Sequence, residues 1–363
     1  MRSLGPGLAL LVLAAGCGDD EEAQAKMERL GKALYFDEGL SSPTGQSCAS
    51  CHDPSAGFAD PDGTACSEGA NKAFFGNRNS PSAAYAAFSP DFHYDAGEGL
   101  YLGGQFWDGR AKDLVEQAKG PFLNPLEMGM ADEAAVVSKV RQAEYASLFE
   151  EVFGAGALDD AQSAYEDVAQ AIAAFERSDE VNRFSSKYDM YLAGRVRLSE
   201  QEMRGLKLFE DEKKGNCAAC HPSQPTAEQP RPLFTDFSYD NLGVPKNKEN
   251  PFYTLAAAHN PDGASWVDLG LGGALKKASE NGKHKVPTLR NIARTAPYMH
   301  NGVFRTLKEV VDFYNRRDVG AFDPPEVAEN VNTDELGDLG LTDAEVADIV
   351  AFLGTLTDGY LGQ

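Results

Sequence analysis

Apolar residues recur at helical spacing in several stretches separated by long aperiodic ones. Val136, Val137, Val140, Leu148, Phe149 and Val152 form one periodic set, and Val168, Ile172 and Phe175 a second. Two more helices announce their starts with capping boxes. Ser199 with Glu202 precedes Met203, Leu206 and Leu208, and Thr342 with Glu345 precedes Val346, Ile349, Val350 and Leu353. The pattern also repeats. Gly31-Lys32-Ala33-Leu34-Tyr35-Phe36 and Gly205-Leu206-Lys207-Leu208-Phe209 both read Gly-x-x-Leu followed by an aromatic. Residues 55–105 and 222–285 show no period and are rich in Gly, Pro, Asn and Asp, so they are expected to be loops.

Composition narrows the class. The 363 residues are 42% hydrophobic and 25% charged, which supports a buried core and excludes wholesale disorder. The net charge of -23 excludes nucleic acid and anionic membrane surfaces as partners. The start of the chain stands apart. Arg2, an apolar run over Leu8 to Leu13 and Ala14-Ala15-Gly16-Cys17 predict a signal peptide over residues 1–16, with Cys17 in a lipobox. Ala14 stands where Leu is commoner, so an ordinary cleaved signal is the alternative. Either way the product is exported to the periplasm, with a lipid at Cys17 as its membrane contact in the first case. Residues 17–26 read as an acidic tether.

The cysteines carry the chemistry. Cys48-Ala49-Ser50-Cys51-His52 and Cys217-Ala218-Ala219-Cys220-His221 are both C-x-x-C-H, the attachment signature of haem c. Two thiols at this spacing can add to the two vinyl groups of one porphyrin, and the next His then supplies the proximal nitrogen to iron. A zinc ribbon requires no His at that offset, and a thioredoxin-like motif needs one pair only. Each motif follows one copy of the Gly-x-x-Leu-aromatic repeat, a domain's length apart. The fold class expected is therefore mainly α: two cytochrome c-like helical domains related by internal duplication, with long haem-covering loops. The domains run over residues 27–185 and 186–363. Cys66 is left over, a buried thiol or an exposed reactive one.

Further segments resemble the bacterial diheme cytochrome c peroxidase family, with features closer to its MauG-like branch. They are Gly76-Asn77-Arg78-Asn79-Ser80-Pro81, Phe106-Trp107-Asp108-Gly109-Arg110, Asn124-Pro125-Leu126-Glu127-Met128, Pro287-Thr288-Leu289-Arg290-Asn291 and Thr295-Ala296-Pro297-Tyr298-Met299-His300-Asn301-Gly302. The resemblance covers nearly all of the chain after the leader. It implies that Glu127 is the distal carboxylate of the first haem, with Gln117 as its pocket amide and Pro121 packed over the same face. The plain alternative for Glu127 is an exposed loop acid. Trp107 matches the residue that passes electrons between the haems, and a core aromatic is its structural alternative. Trp266 has no match and reads as packing.

For the second iron, two distal ligands compete. The register of Thr306-Leu307-Lys308-Glu309-Val310-Val311-Asp312-Phe313-Tyr314 places the family ligand on Tyr314; Met299 is the runner-up, since a His/Met pair is common chemistry. At the first iron, the capping His of the conventional peroxidases falls near Asn71. The first haem is thus expected to be open, with His93 as the alternative cap. The family also implies a calcium ion held by Asn79, Thr295 and Pro297. His300 matches a family His near the second haem, whereas His259 and His284 are expected at the surface.

Two function classes follow. The first is a peroxidase that reduces hydrogen peroxide at the N-terminal haem, with electrons relayed from the C-terminal one. Its partner is a small electron-donor protein or, in a MauG-like variant, a protein substrate whose side chain is oxidised. The second is a diheme electron carrier, which has no use for Gln117 and Glu127 at an open iron.

Overall fold

The computed structural model describes residues 17–227 and 229–362. The expected signal peptide, residues 1–16, lies outside the described residues. Helices dominate. In chain order they are α1 (Cys17–Tyr35), α2 (Cys48–Cys51), α3 (Leu114–Leu123), α4 (Glu133–Gln142), α5 (Ala146–Phe153), α6 (Ala161–Arg177), α7 (Lys187–Leu192), α8 (Glu200–Glu210), α9 (Gly270–Leu275), α10 (Leu307–Arg316) and α11 (Asp343–Gly354). Two short antiparallel ribbons interrupt the loops. β1 (His93–Asp95) pairs with β2 (Leu100–Leu102), and β3 (Tyr239–Asp240) pairs with β4 (His284–Lys285) in the register Tyr239 to Lys285. No described helix is long and apolar enough to cross a membrane.

The repeat read in the sequence is a repeat of packing. α1 crosses α6 at Gly31, and α8 crosses α11 at Gly205. A Cβ on Gly31 would stand 1.8 Å from Ala171 O, and one on Gly205 1.9 Å from Asp348 O. Only glycine lets the two backbones approach so closely. One turn later, Tyr35 packs edge-on against Phe175 at 5.1 Å, and Phe209 against Phe352 at 5.2 Å. Each crossing anchors its own core. Leu30, Leu34, Phe122, Val136, Val140, Phe149, Val168 and Ile172 fill the first. Leu206, Phe209, Phe234, Val346, Ile349 and Leu353 fill the second.

Three expectations need correction. The acidic tether expected over residues 17–26 is helical, because α1 already begins at Cys17. Its acids suit a helix N-terminus, and Lys26 pairs with Glu22 at 2.9 Å and with Glu151 at 2.8 Å. The periodic set 136–152 is two helices, α4 and α5. At 100° per residue, Val140 and Phe149 would point in roughly opposite directions on one continuous helix. The break between α4 and α5 lets both be buried. The aperiodic stretches, finally, contain the two ribbons and α9 as well as loops.

Candidate haem sites

Both C-x-x-C-H motifs form a single tight turn that brings the two thiols and the following imidazole together. Cys48, Cys51, Cys217 and Cys220 are all free thiols. Burial pushes Cys51, Cys217 and Cys220 up to about 12. His52 Nδ1 faces Phe58 O at 3.3 Å, and His221 Nδ1 faces Phe234 O at 2.7 Å. Burial holds both imidazoles below their usual pKa and hence neutral. With its proton on Nδ1, each ring keeps the Nε2 lone pair for a metal. The two accepting residues share an unusual backbone: Phe58 has φ 60° and Phe234 φ 54°. A bulky side chain in the left-handed region is strained, and both copies accept that strain at the residue that orients the ligand. The donor set therefore fits two haem c groups.

Glu127 lies near the first site. Its charge is felt at both Cys48 and Cys51. Burial raises its carboxyl pKa, opposed by the nearby Arg110 cation and a hydrogen bond from Asn124. The turn holding it is fixed from two sides. Ala70 N donates to Glu127 O at 2.6 Å, and Met128 N donates to Pro121 O at 3.2 Å. Gly69 must be glycine here, because a Cβ would stand 2.4 Å from Leu126 O. Gln117 and Pro121 lie one turn apart on the same face of α3. Asn71 is exposed and its Oδ1 accepts from Ala73 N, while His93 is exposed on β1 with its ring on Asp91 O at 2.8 Å.

The second site is a largely apolar cavity. His221, Cys217, Cys220, Tyr314, Met299 and Trp107 all line it. Both ligand candidates thus reach it. Tyr314 comes from α10, and its phenol is raised by burial first and then by the Cys220 and Cys217 thiols. Met299 packs with Tyr298, Phe304 and Phe313 at the cavity's other wall. Asn79, Thr295 and Pro297 line the same cavity. Asn79 Nδ2 turns to Ala65 O at 3.4 Å. Among the described residues no donor reaches Asn79 Oδ1 or the carbonyls of Thr295 and Pro297, which suits a hard cation.

Trp107 lines the second cavity. Its indole N–H donates to Asn79 O at 2.8 Å, and its carbonyl accepts from Lys285 N at 2.8 Å. Three residues on, Arg110 lies over the Phe106 ring at 3.6 Å and acts on Glu127. Segment 106–110 therefore runs from the second cavity towards Glu127. Trp266 packs against Phe252 at 5.0 Å, as expected of a packing residue, and Cys66 is fully buried.

Sequence reasoning missed several groups. His284 is not a surface residue: its ring stacks on His300 at 3.6 Å, with its side chain 10% exposed. His259 is half-buried and packs at a tilt against Phe74, with ring centroids 4.3 Å apart. Arg78 bridges Asp108 and Asp268. Glu176 is buried beside Cys48, and burial pushes it up to about 8. No local signal marks these, because their partners lie far away in sequence.

Known proteins complete the picture. A family profile described as di-haem cytochrome c peroxidase matches residues 25–197. The methylamine utilization protein MauG of Paracoccus denitrificans is 41% identical, over 97% of this chain and 94% of its own. The cytochrome c551 peroxidase of Nitrosomonas europaea is 32% identical, over 92% of this chain and 80% of its own. The crystal structure of the diheme peroxidase BthA from Burkholderia thailandensis superposes with a TM-score of 0.82 at 37% identity, covering 92% of this chain and 86% of that one. Such neighbours imply two cytochrome c domains in the mainly helical fold. With two C-x-x-C-H turns in matching frames and this similarity along almost its whole length, the chain belongs to the di-haem cytochrome c peroxidase family and is an enzyme of that family.

Proposed function

We propose that the chain is an exported diheme peroxidase that reduces hydrogen peroxide at the N-terminal site, with electrons relayed from the C-terminal one. The observation that carries this reading is Glu127, a half-buried carboxyl of raised pKa whose charge is felt at both cysteines of the first C-x-x-C-H turn. The two haem c groups, when bound, supply the iron that exchanges electrons with peroxide. Glu127 takes the proton from the near oxygen of peroxide and returns it to the far oxygen, so that water can leave. Gln117 donates a hydrogen bond that orients the peroxide. Trp107 supplies an oxidisable π-system between the sites. His52 and His221 would each hold an iron beside its C-x-x-C-H turn, and Tyr314, rather than Met299, would be the further ligand of the second iron. Asn79, Thr295 and Pro297 would hold calcium in the cavity that Trp107 also lines. The two units divide at residues 185 and 186, and Cys17 carries the lipid that tethers the enzyme in the periplasm.

A second reading concerns the electron source. MauG of Paracoccus denitrificans is named for methylamine utilization, and this chain is similar to it over nearly its full length. An anionic oxygen ligand from Tyr314 would favour the higher oxidation states of iron and suit oxidation of a partner protein's side chain. A small cytochrome or copper protein is the donor in the first reading. Rapid mixing of the isolated holoprotein with peroxide tests the shared claim. A fast optical change and consumption of peroxide are expected, whereas an inert spectrum would make the chain an electron carrier.

A further inference from the structure

The cavity beside His221 is short of positive charge. Its lining holds four acids, Asp240, Asp268, Glu326 and Glu335, against two basic side chains, Lys285 and Arg290. Arg290 is already spent. Its terminal nitrogens fork onto Asp189 at 2.9 and 3.0 Å, and its Nε donates to Pro232 O at 2.7 Å. Lys285 is not. Its ammonium donates to Gly104 O at 2.5 Å, and among the described residues it forms no ion pair. The carboxylate that acts on it, Asp108, is held by Arg78 at 2.6 Å and by Arg110 at 2.9 Å. An ammonium carries three N–H donors, so donors remain without a protein partner.

The backbone fixes this side chain in place. Lys285 lies on β4 opposite Tyr239, and its N–H donates to Trp107 O at 2.8 Å. The next residue, Val286, donates to Ser238 O at 2.8 Å. Lys285 is therefore no surface lysine free to turn to water. It is half-buried, and burial pushes it down to about 7 against the opposing pull of Asp108. Desolvating an ammonium without an anion is costly, so a lysine kept at such a position calls for an anion in the cavity.

Haem c brings one. Thioethers at Cys217 and Cys220 take its vinyl edge, and two propionate carboxylates project from the opposite edge. The acids of the wall would repel them, so propionates here need a cation. We propose that Lys285 is the positioning residue that pairs with a propionate of the second haem and so fixes the porphyrin edge on the Trp107 side of the cavity. The proposal rests on haem attachment at Cys217 and Cys220 and is independent of peroxide turnover. The electrostatic consequence has a definite sign. The ferric haem carries one more positive charge than the ferrous, so a nearby ammonium disfavours it. Lys285 therefore raises the potential of the second haem.

The test uses the full-length holoprotein, in which mass spectrometry first counts two covalent haems. Lys285→Met keeps the length of the side chain and removes its charge, and Lys285→Arg restores a cation. Spectroelectrochemical titration follows each haem, and resonance Raman spectra report the propionate bending band. Lys285→Met should shift the ferric–ferrous equilibrium of the second haem about tenfold towards ferric, a fall of about 59 mV for one electron. Its propionate band should shift as well, the first haem should be unchanged, and Lys285→Arg should restore both values. If Lys285→Met folds poorly, a crystal structure of the unmodified holoprotein decides, with Lys285 Nζ expected about 2.7–2.9 Å from a propionate oxygen. The proposal is overturned by an unchanged second-haem potential or propionate band in folded Lys285→Met, by a shift confined to the first haem, or by a crystal structure in which both propionates turn away from Lys285. Fewer than two covalent haems in the unmodified protein would overturn the attachment, and the proposal with it.

Discussion

The two haem-attachment regions share one proximal plan and differ on the opposite face. In both, a glycine seats one helix on another, an aromatic packs one turn later, and a strained phenylalanine offers its carbonyl to the ligand histidine. The first site then has nearby the turn of Glu127, a carboxyl whose pKa burial raises. The second faces α10 and the loop of Met299, within a largely apolar cavity. One further position separates them. After Phe175 comes the buried acid Glu176, whereas after Phe352 comes Leu353. Duplication thus fixes the scaffold that holds a haem. The chemistry is set by segments that lie outside the repeat.

The largest effect that would break this comparison is at Glu127. Glu127→Gln keeps size and hydrogen bonding but removes the transferable proton. Peroxide turnover should fall by about 10²–10⁴-fold, with the second haem's spectrum unchanged. Steady-state assays of peroxide loss check it, and unaltered turnover would make the two distal faces functionally alike.

Glu176 comes next, through the pH dependence of stability. Its folded pKa of about 8 lies above the ordinary value of 4.5, with burial as the main cause and Arg177 opposing it. Between those values the folded state holds a proton that the unfolded state has lost. Stability is therefore present below pH 4.5 and declines as pH rises towards 8, by about 1.4 kcal/mol per pH unit for this group. Glu176→Leu copies the second site and should flatten that slope. Denaturant titrations at pH 5 and pH 8 measure it, and a parallel shift at both values would contradict the assignment.

The smallest effect tests the shared scaffold. Gly31→Ala and Gly205→Ala each force a methyl group against a backbone carbonyl, at an expected cost of about 1–3 kcal/mol. The two losses should be similar in thermal or denaturant unfolding. A loss at only one glycine would show that the two crossings are not equivalent.

Much of this was legible in the sequence because the signals are local. The C-x-x-C-H turns, the Gly-x-x-Leu-aromatic repeat and the Asn124–Met128 segment each act within a few residues, and the structure folds the first two into matching turns and helix crossings. What was not legible depends on distant partners. His284 reads as a surface residue until His300 covers it, and Arg78 as a loop cation until Asp268 and Asp108 enclose it. The split of α4 from α5 was hidden because both halves carry helical spacing. The frame in which Val140 and Phe149 share a core is set by the fold as a whole.

The central claim is that one iron is open and the other is capped by Tyr314. Electron paramagnetic resonance of the resting ferric protein, compared with Tyr314→Phe and Met299→Leu, tests it most directly. The account predicts one high-spin and one low-spin signal. The low-spin signal should change in Tyr314→Phe and persist in Met299→Leu. Two low-spin signals at rest, or a low-spin signal lost with Met299 and kept without Tyr314, would contradict it.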